Sequence, residues 1–317
     1  MNLLRVLLGL VLLQDSARLE LTQTIPLPKV EGRIDHLAFD AKGQKLLVAA
    51  LGNNTVEVID LAAGKVVHQI SGPQEPQGVL SLEGEVVVCS GGDGSSRFYD
   101  AGSYALTKNV DCRGDADNIR YDAGAKRIYV GYGDGGLAVI DAEKKTRVAE
   151  IKLDGHPESF QIEAKGRRIF VNVPKAGQIA VVDREKGAVI AKWKPSAQSN
   201  FPMALDEEGH RLYVGCRQPA KLLVFDTESG KETAAVECSG DTDDVFFDAA
   251  SKRVFVSCGV GYIDVFSADA APKRVAKLPT AAGARTCLYV PDLQKLFLAV
   301  PHRGSQQAEV RVYKLKS

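Results

Sequence analysis

The chain lacks a net charge: its 317 residues carry 40 basic and 40 acidic side chains. That balance argues against a general nucleic-acid or anionic-membrane partner, either of which favours a basic surface. It also lacks an apolar run of membrane-spanning length. Residues 6–13 (VLLGLVLL) hold only eight positions, where about 20 are needed to cross a bilayer, so no transmembrane anchor is expected. Six cysteines are present, but no CxxCH haem attachment and no zinc spacing accompany them. A Walker loop and a GxSxG elbow are missing too, which leaves nucleotide hydrolysis and serine-hydrolase chemistry without their usual signatures. Gly91-Gly-Asp-Gly94 and Gly133-Asp-Gly-Gly136 are rich in glycine, but no helix follows either, so they read as turns rather than phosphate cradles. Helical periodicity is absent from the repeating part of the chain.

What is there instead is a repeat of short strands. Residues 34–70 contain four apolar runs, 36–39, 45–51, 55–61 and 65–70, each of strand length and rich in β-branched residues. Asp40-Ala-Lys-Gly43, Gly52-Asn-Asn54 and the segment from Asp60 to Lys65 supply the turns between them. The third run recurs with a terminal aspartate at positions 60, 100, 141, 183 and 226, spaced 40 to 43 residues apart. Two degenerate copies follow, at 263–267 and 310–314. Seven copies of the second run accompany them, as in Leu46-Leu-Val48, Ile128-Tyr-Val130 and Leu212-Tyr-Val214. This is the period of four-stranded propeller blades. The seventh copy runs out of chain at its third strand, and the orphan strand at residues 19–27 is the candidate for its fourth. The expected fold is all-β: a seven-bladed propeller of antiparallel four-stranded blades, closed 3+1 by the N-terminal strand.

Ahead of this ring, residues 1–17 combine a single positive charge at Arg5, the short apolar core and a small residue at Ala17, a pattern similar to a secretory signal peptide. The expected organisation is therefore a signal at 1–17, a single propeller domain over 18–317, and an extracytoplasmic location, periplasmic or secreted. Cys216 and Cys258 fall at equivalent positions of adjacent second strands. Cys112 and Cys238 are equivalents in blades too far apart to bridge. Buried single thiols fit this placement better than a disulfide framework.

The copies resemble YVTN-type β-propeller repeats of the YncE-like class of exported bacterial proteins. Asn53-Asn-Thr-Val-Glu-Val-Ile-Asp60 with Gly64-Lys65, Arg127-Ile-Tyr-Val130 and Arg211-Leu-Tyr-Val214 carry the likeness, which covers roughly residues 30–315. The resemblance implies a scaffold whose functions are placed on its loops. Propellers similar to this one include lyases and lactonases that use His and carboxylate acid–base chemistry, and also redox partners. The last lack support here, because neither a haem motif nor a copper-ligand cluster is present.

In a meander blade the fourth-to-first and second-to-third loops share one face, and function is expected there. Counting back from the end of each first strand aligns Asp35, Gln77, Asp117, Glu158, Phe201, Asp243 and Arg285 around the channel mouth. Of these, Asp35, Asp117, Glu158, Asp243 and Arg285 are the expected ligand-binding set, presenting four carboxylates and one arginine. Cys112-Arg-Gly-Asp115-Ala-Asp117 parallels Cys238-Ser-Gly-Asp241-Thr-Asp243. Asp115, Asp117, Asp241 and Asp243 are thus candidate ligands for a divalent cation such as calcium, although neither run has the full DxDxDG order. The same aspartates also suit the capping of tight turns. No other cofactor is indicated. His36, His156 and Glu158 could form an acid–base pair of the lyase or lactonase kind. In the absence of a nucleophile–base motif, the leading expectation is a monomeric binding module or scaffold for a small molecule, a cation or a protein partner.

Overall fold

The computed structural model describes residues 18–133 and 135–316. The signal expected at 1–17, with its cleavage point, lies outside them. In the first repeat, strands Leu37–Asp40, Lys45–Ala50, Thr55–Asp60 and Lys65–Ser71 pair antiparallel in chain order. The repeated aspartate makes the turns. Asp60 Oδ1 accepts the N–H of Ala63 at 2.8 Å, and Asp141 Oδ1 accepts those of Glu143 and Lys144 at 3.1 and 2.9 Å. A short carboxylate closing its own turn is why Asp ends the third strand in repeat after repeat.

The described residues form seven such sheets, spanning 37–71, 76–111, 119–152, 160–193, 198–237, 242–279 and 287–316, numbered here as blades 1 to 7. Blade 7 takes its outer strand from the start of the chain. Arg18–Pro26 pairs with Glu309–Lys316, from Arg18 opposite Lys316 to Pro26 opposite Glu309, with an irregularity between Leu21 and Gln23. The degenerate third-strand copies are regular strands as well, Tyr262–Ser267 and Glu309–Lys316.

Seven apolar layers hold the blades together, one for each adjacent pair. Leu46, Val48 and Ile59 of blade 1 pack with Phe297, Ala299 and Val310 of blade 7. Their neighbours Leu47, Ala49 and Val58 pack with Val86, Val88 and Tyr99 of blade 2. Alternate residues of one strand therefore serve two interfaces, which explains why the second strands are apolar at consecutive positions. The 7–1 layer closes the ring and removes exposed blade edges. All six cysteines are free and buried in these layers or beside them. Among the described residues no helix is long and apolar enough to cross a membrane.

Candidate functional site

The first strands line the central channel, so the loops that enter them converge at one mouth. There they enclose a cavity of about 850 Å³. Asp117, His156, Glu158 and Arg285 reach it from fourth-to-first loops, Phe201 and Asp243 from the starts of first strands, Leu51, Gly133 and Lys175 from second-to-third connections, and Arg217 from the end of a second strand. Below it the channel narrows to a waist of about 20 Å³, bounded in part by Asp35, His36, Asp117 and Asn118. Gly78 stands in this layer without a side chain because a Cβ there would collide with the Asp117 carbonyl oxygen.

Asp117 is the hub. Its carboxylate lies 3.7 Å from His156 Nε2 on the cavity side and 3.9 Å from His36 Nε2 at the waist. His36 in turn approaches Asp35 and Asp244, each at 3.8 Å, while Asn118 Nδ2 stands 3.2 Å from its Nε2. His156 Nδ1 donates to the Gly133 carbonyl at 2.7 Å, with Asp115 3.6 Å away. Two buried acceptors here have no hydrogen-bond partner among the described residues: Asp117 Oδ1 and Asn118 Oδ1. Buried acceptors of this kind are matched in folded proteins by a donor.

The comparisons bear on this arrangement at the level of fold. Two proteins described as uncharacterised YncE, from Salmonella typhimurium (strain LT2) and Salmonella typhi, are 22% identical to the chain over 268 residues, covering 78% of it and 74% of each relative. The chain is a seven-bladed propeller similar in sequence to YncE. No family model matches it. Among solved structures, a chain of the Kuenenia stuttgartiensis hydrazine synthase superposes with a TM-score of 0.75 at 15% identity, covering 86% of this chain and 94% of that one. A chain of a mitotic checkpoint complex gives 0.80 at 11% identity, covering 95% and 94%. At such identities the likeness is one of architecture.

The expected ring of four carboxylates facing one arginine is corrected by the structure in two respects. Asp35 is buried at the waist, not in the open mouth, and donates no free charge to the cavity because Arg33 Nη2 binds it at 2.7 Å. Arginines are also more numerous than expected. Arg217 Nη2 pairs with Asp243 Oδ1, its Nε stands 3.7 Å from Asp241, and its guanidinium lies 3.8 Å over the Phe201 ring. Arg285 holds the other sides of the same two aspartates, at 3.0 Å from Asp243 and 3.2 Å from Asp241. Of the four metal candidates, Asp241 and Asp243 thus share two arginines. Asp115 and Asp117 share His156, with Gln77 Nε2 donating to Asp115 at 3.0 Å. Among the described residues no three His, Cys, Asp or Glu side chains converge on a metal position.

Sequence reasoning missed Arg33 and Arg217. Arg33 sits two residues outside the counted column, and Arg217 lies at the end of a second strand, Arg211–Gln218, which that column does not include. His302 pairs with Glu31 at 2.8 Å and does not line the cavity.

The electrostatics follow from burial. Desolvation raises Glu158 to about 7, reinforced by Asp117 and only partly opposed by His156. It raises Asp244 to about 7 against the pull of His36, and Asp35 to about 6 against His36 and Arg33. Burial opposes the protonated form of His156, but Asp117 and the Gly133 carbonyl outweigh it and lift the ring to about 9. His36 is raised in the same way, mainly by Asp35 and Asp244. Asp117 alone is lowered, because the two histidines overcome its desolvation. The result is a carboxylate biased toward its ionised form between two histidines biased toward theirs, with neighbouring acids raised toward neutrality.

Proposed function

We propose that the protein is an exported binding propeller whose channel mouth takes a small organic cation bearing hydrogen-bond donors, such as a protonated amine. The observation that carries this reading is a pair of buried acceptors without a hydrogen-bond partner among the described residues, Asp117 Oδ1 and Asn118 Oδ1, at the waist beneath the open cavity that Asp117 also lines. A ligand N–H reaching them satisfies both, and its charge draws the proton off Glu158. An ammonium needs acceptors rather than a coordination shell, which suits this donor set better than calcium does. Export is supported by the pattern of residues 1–17.

The test is a thermal-shift and calorimetric titration with 1,4-diaminobutane and agmatine against matched neutral alcohols. Amines should raise the melting temperature, and the double variant Asp117→Asn, Glu158→Gln should abolish the rise. A calcium-dependent rise that chelation reverses, with amines inert, would replace the organic cation by a metal. No response to either would reject the site.

A second reading rests on Glu158 itself. A carboxyl that titrates near 7, lining the same cavity as His156, suits general acid–base chemistry of the lyase or lactonase kind. Turnover of a lactone or ester panel that vanishes in Glu158→Gln would favour it over simple binding.

A further inference from the structure

Beneath the waist the channel opens again into a second cavity, of about 470 Å³. Its wall is built from one position of each first strand. Ala38, Leu80, Gln161, Ala204, Phe246 and Leu288 occupy it in six blades, each opposite the equivalent residue of its second strand. In blade 3 the position is Arg120, opposite Tyr129. Six uncharged side chains and one arginine therefore form a single layer. Phe39, Leu205, Phe247 and Tyr289 continue the apolar wall below it.

Arg120 is poorly provided for. It forms no ion pair among the described residues, and its one hydrogen bond runs from Nη1 to the carbonyl of Ile119, its own neighbour, at 2.8 Å. Its guanidinium stands 5.7 Å from the Phe160 ring centre. Burial lowers its pKa although Asp244 and Asp117 act from a distance in the other direction. A guanidinium presents five donors in a planar fork, and those of Arg120 that make no protein hydrogen bond face the cavity. Every other arginine of the channel has a carboxylate beside it: Arg33 has Asp35, while Arg217 and Arg285 have Asp243.

We propose that this lower cavity is a binding site for a small monocarboxylate with an apolar body, anchored by Arg120. The carboxylate matches the guanidinium fork in geometry and balances its single charge. The six uncharged positions of the layer and the aromatic wall receive the rest of the molecule. A dianion such as a phosphate monoester would leave one charge unbalanced in a largely apolar chamber that already has Asp244 on its wall. The waist separates this site from the upper cavity, so the two take ligands of opposite charge independently.

Calorimetry with 3-phenylpropionate, 3-phenylpropanol and phenyl phosphate tests the assignment. The carboxylate should bind and raise the melting temperature, whereas the alcohol and the phosphate should not. Arg120→Leu should weaken carboxylate binding about ten- to a hundredfold, the loss expected for one charged hydrogen-bonded contact, while 1,4-diaminobutane titrations at the upper cavity stay as in the parent. Should Arg120→Leu fail to fold, Ala204→Trp decides the matter: filling the layer should remove carboxylate binding with Arg120 in place. An inert carboxylate, equal binding by the alcohol, or undiminished affinity in both variants would overturn the proposal.

Discussion

Glu158 shares its cavity with Asp117 and Asp243, and burial with these charges holds its carboxyl near 7. A raised carboxyl binds its proton more tightly in the folded chain than in the unfolded one. Between the unfolded value and about 7, stability therefore falls as pH rises. Asp35 and Asp244 act in the same direction, up to about 6 and about 7. His156, raised to about 9, adds stability that is complete below its unfolded value and lost as pH climbs through 9. The melting temperature should accordingly be higher at pH 5.5 than at pH 9, and Glu158→Gln should flatten the part of that slope below 7, by on the order of 2 kcal/mol. A pH profile unchanged in Glu158→Gln would remove the carboxyl from this role. Arg217→Ala is expected to destabilise by about 2 kcal/mol, since it strips Asp243 of one of its two partners and uncovers Phe201. Chemical denaturation measures it.

Residue identity was legible where register was. The column from Asp35 to Arg285 could be counted because each first strand ends at a recognisable position, and four of its five expected binding residues do line the cavity. Asp35 could not be separated from them by counting, since its burial depends on Arg33 folding back across two residues. Arg217 enters from the end of a second strand, and the pairing of Asp241 with Asp243 through two arginines is a three-dimensional fact that spacing does not encode.

At the scale of the strand, inner and outer positions differ sharply. Second strands bury consecutive residues and announce themselves as apolar runs, whereas fourth strands face solvent and leave Val67, Leu106, Val148 and Ile190 exposed. Val148→Lys should therefore change stability by no more than about 0.5 kcal/mol. The N-terminal strand is an outer strand with a different duty. Leu19 and Ile25 are buried in the layers that join blade 7 to its two neighbours. Ile25→Ala is expected to cost about 2–5 kcal/mol. Deletion of residues 18–28 should expose an unpaired edge and cause aggregation, seen by size-exclusion chromatography. A deletion variant that elutes as a monomer with the parent melting temperature would contradict the closure.

The whole ring can be read through its thiols. Cys89 and Cys112 lie in the layer between blades 2 and 3, Cys216 between 4 and 5, Cys238 and Cys258 between 5 and 6, and Cys287 between 6 and 7. Burial pushes Cys216 and Cys238 up to about 12, far from the reactive thiolate. A thiol reagent should label none of the six in the native protein and all six after denaturation. Three disulfides found by mass spectrometry would refute the buried-thiol placement.

Thr22 hydroxyl donates to the carbonyl of Val312, a contact 290 residues apart along the chain. At a synthesis rate of about 5–20 residues per second, the first strand waits between about 15 and about 60 s for its partner to be made. Through that interval Leu19 and Ile25 have nothing to cover them, and six blades stand as an open arc. Ribosome-stalled chains ending before residue 309 should be cut by protease within residues 18–26, and chains released after Lys316 should resist. The last strand to leave the ribosome is the latch for the first.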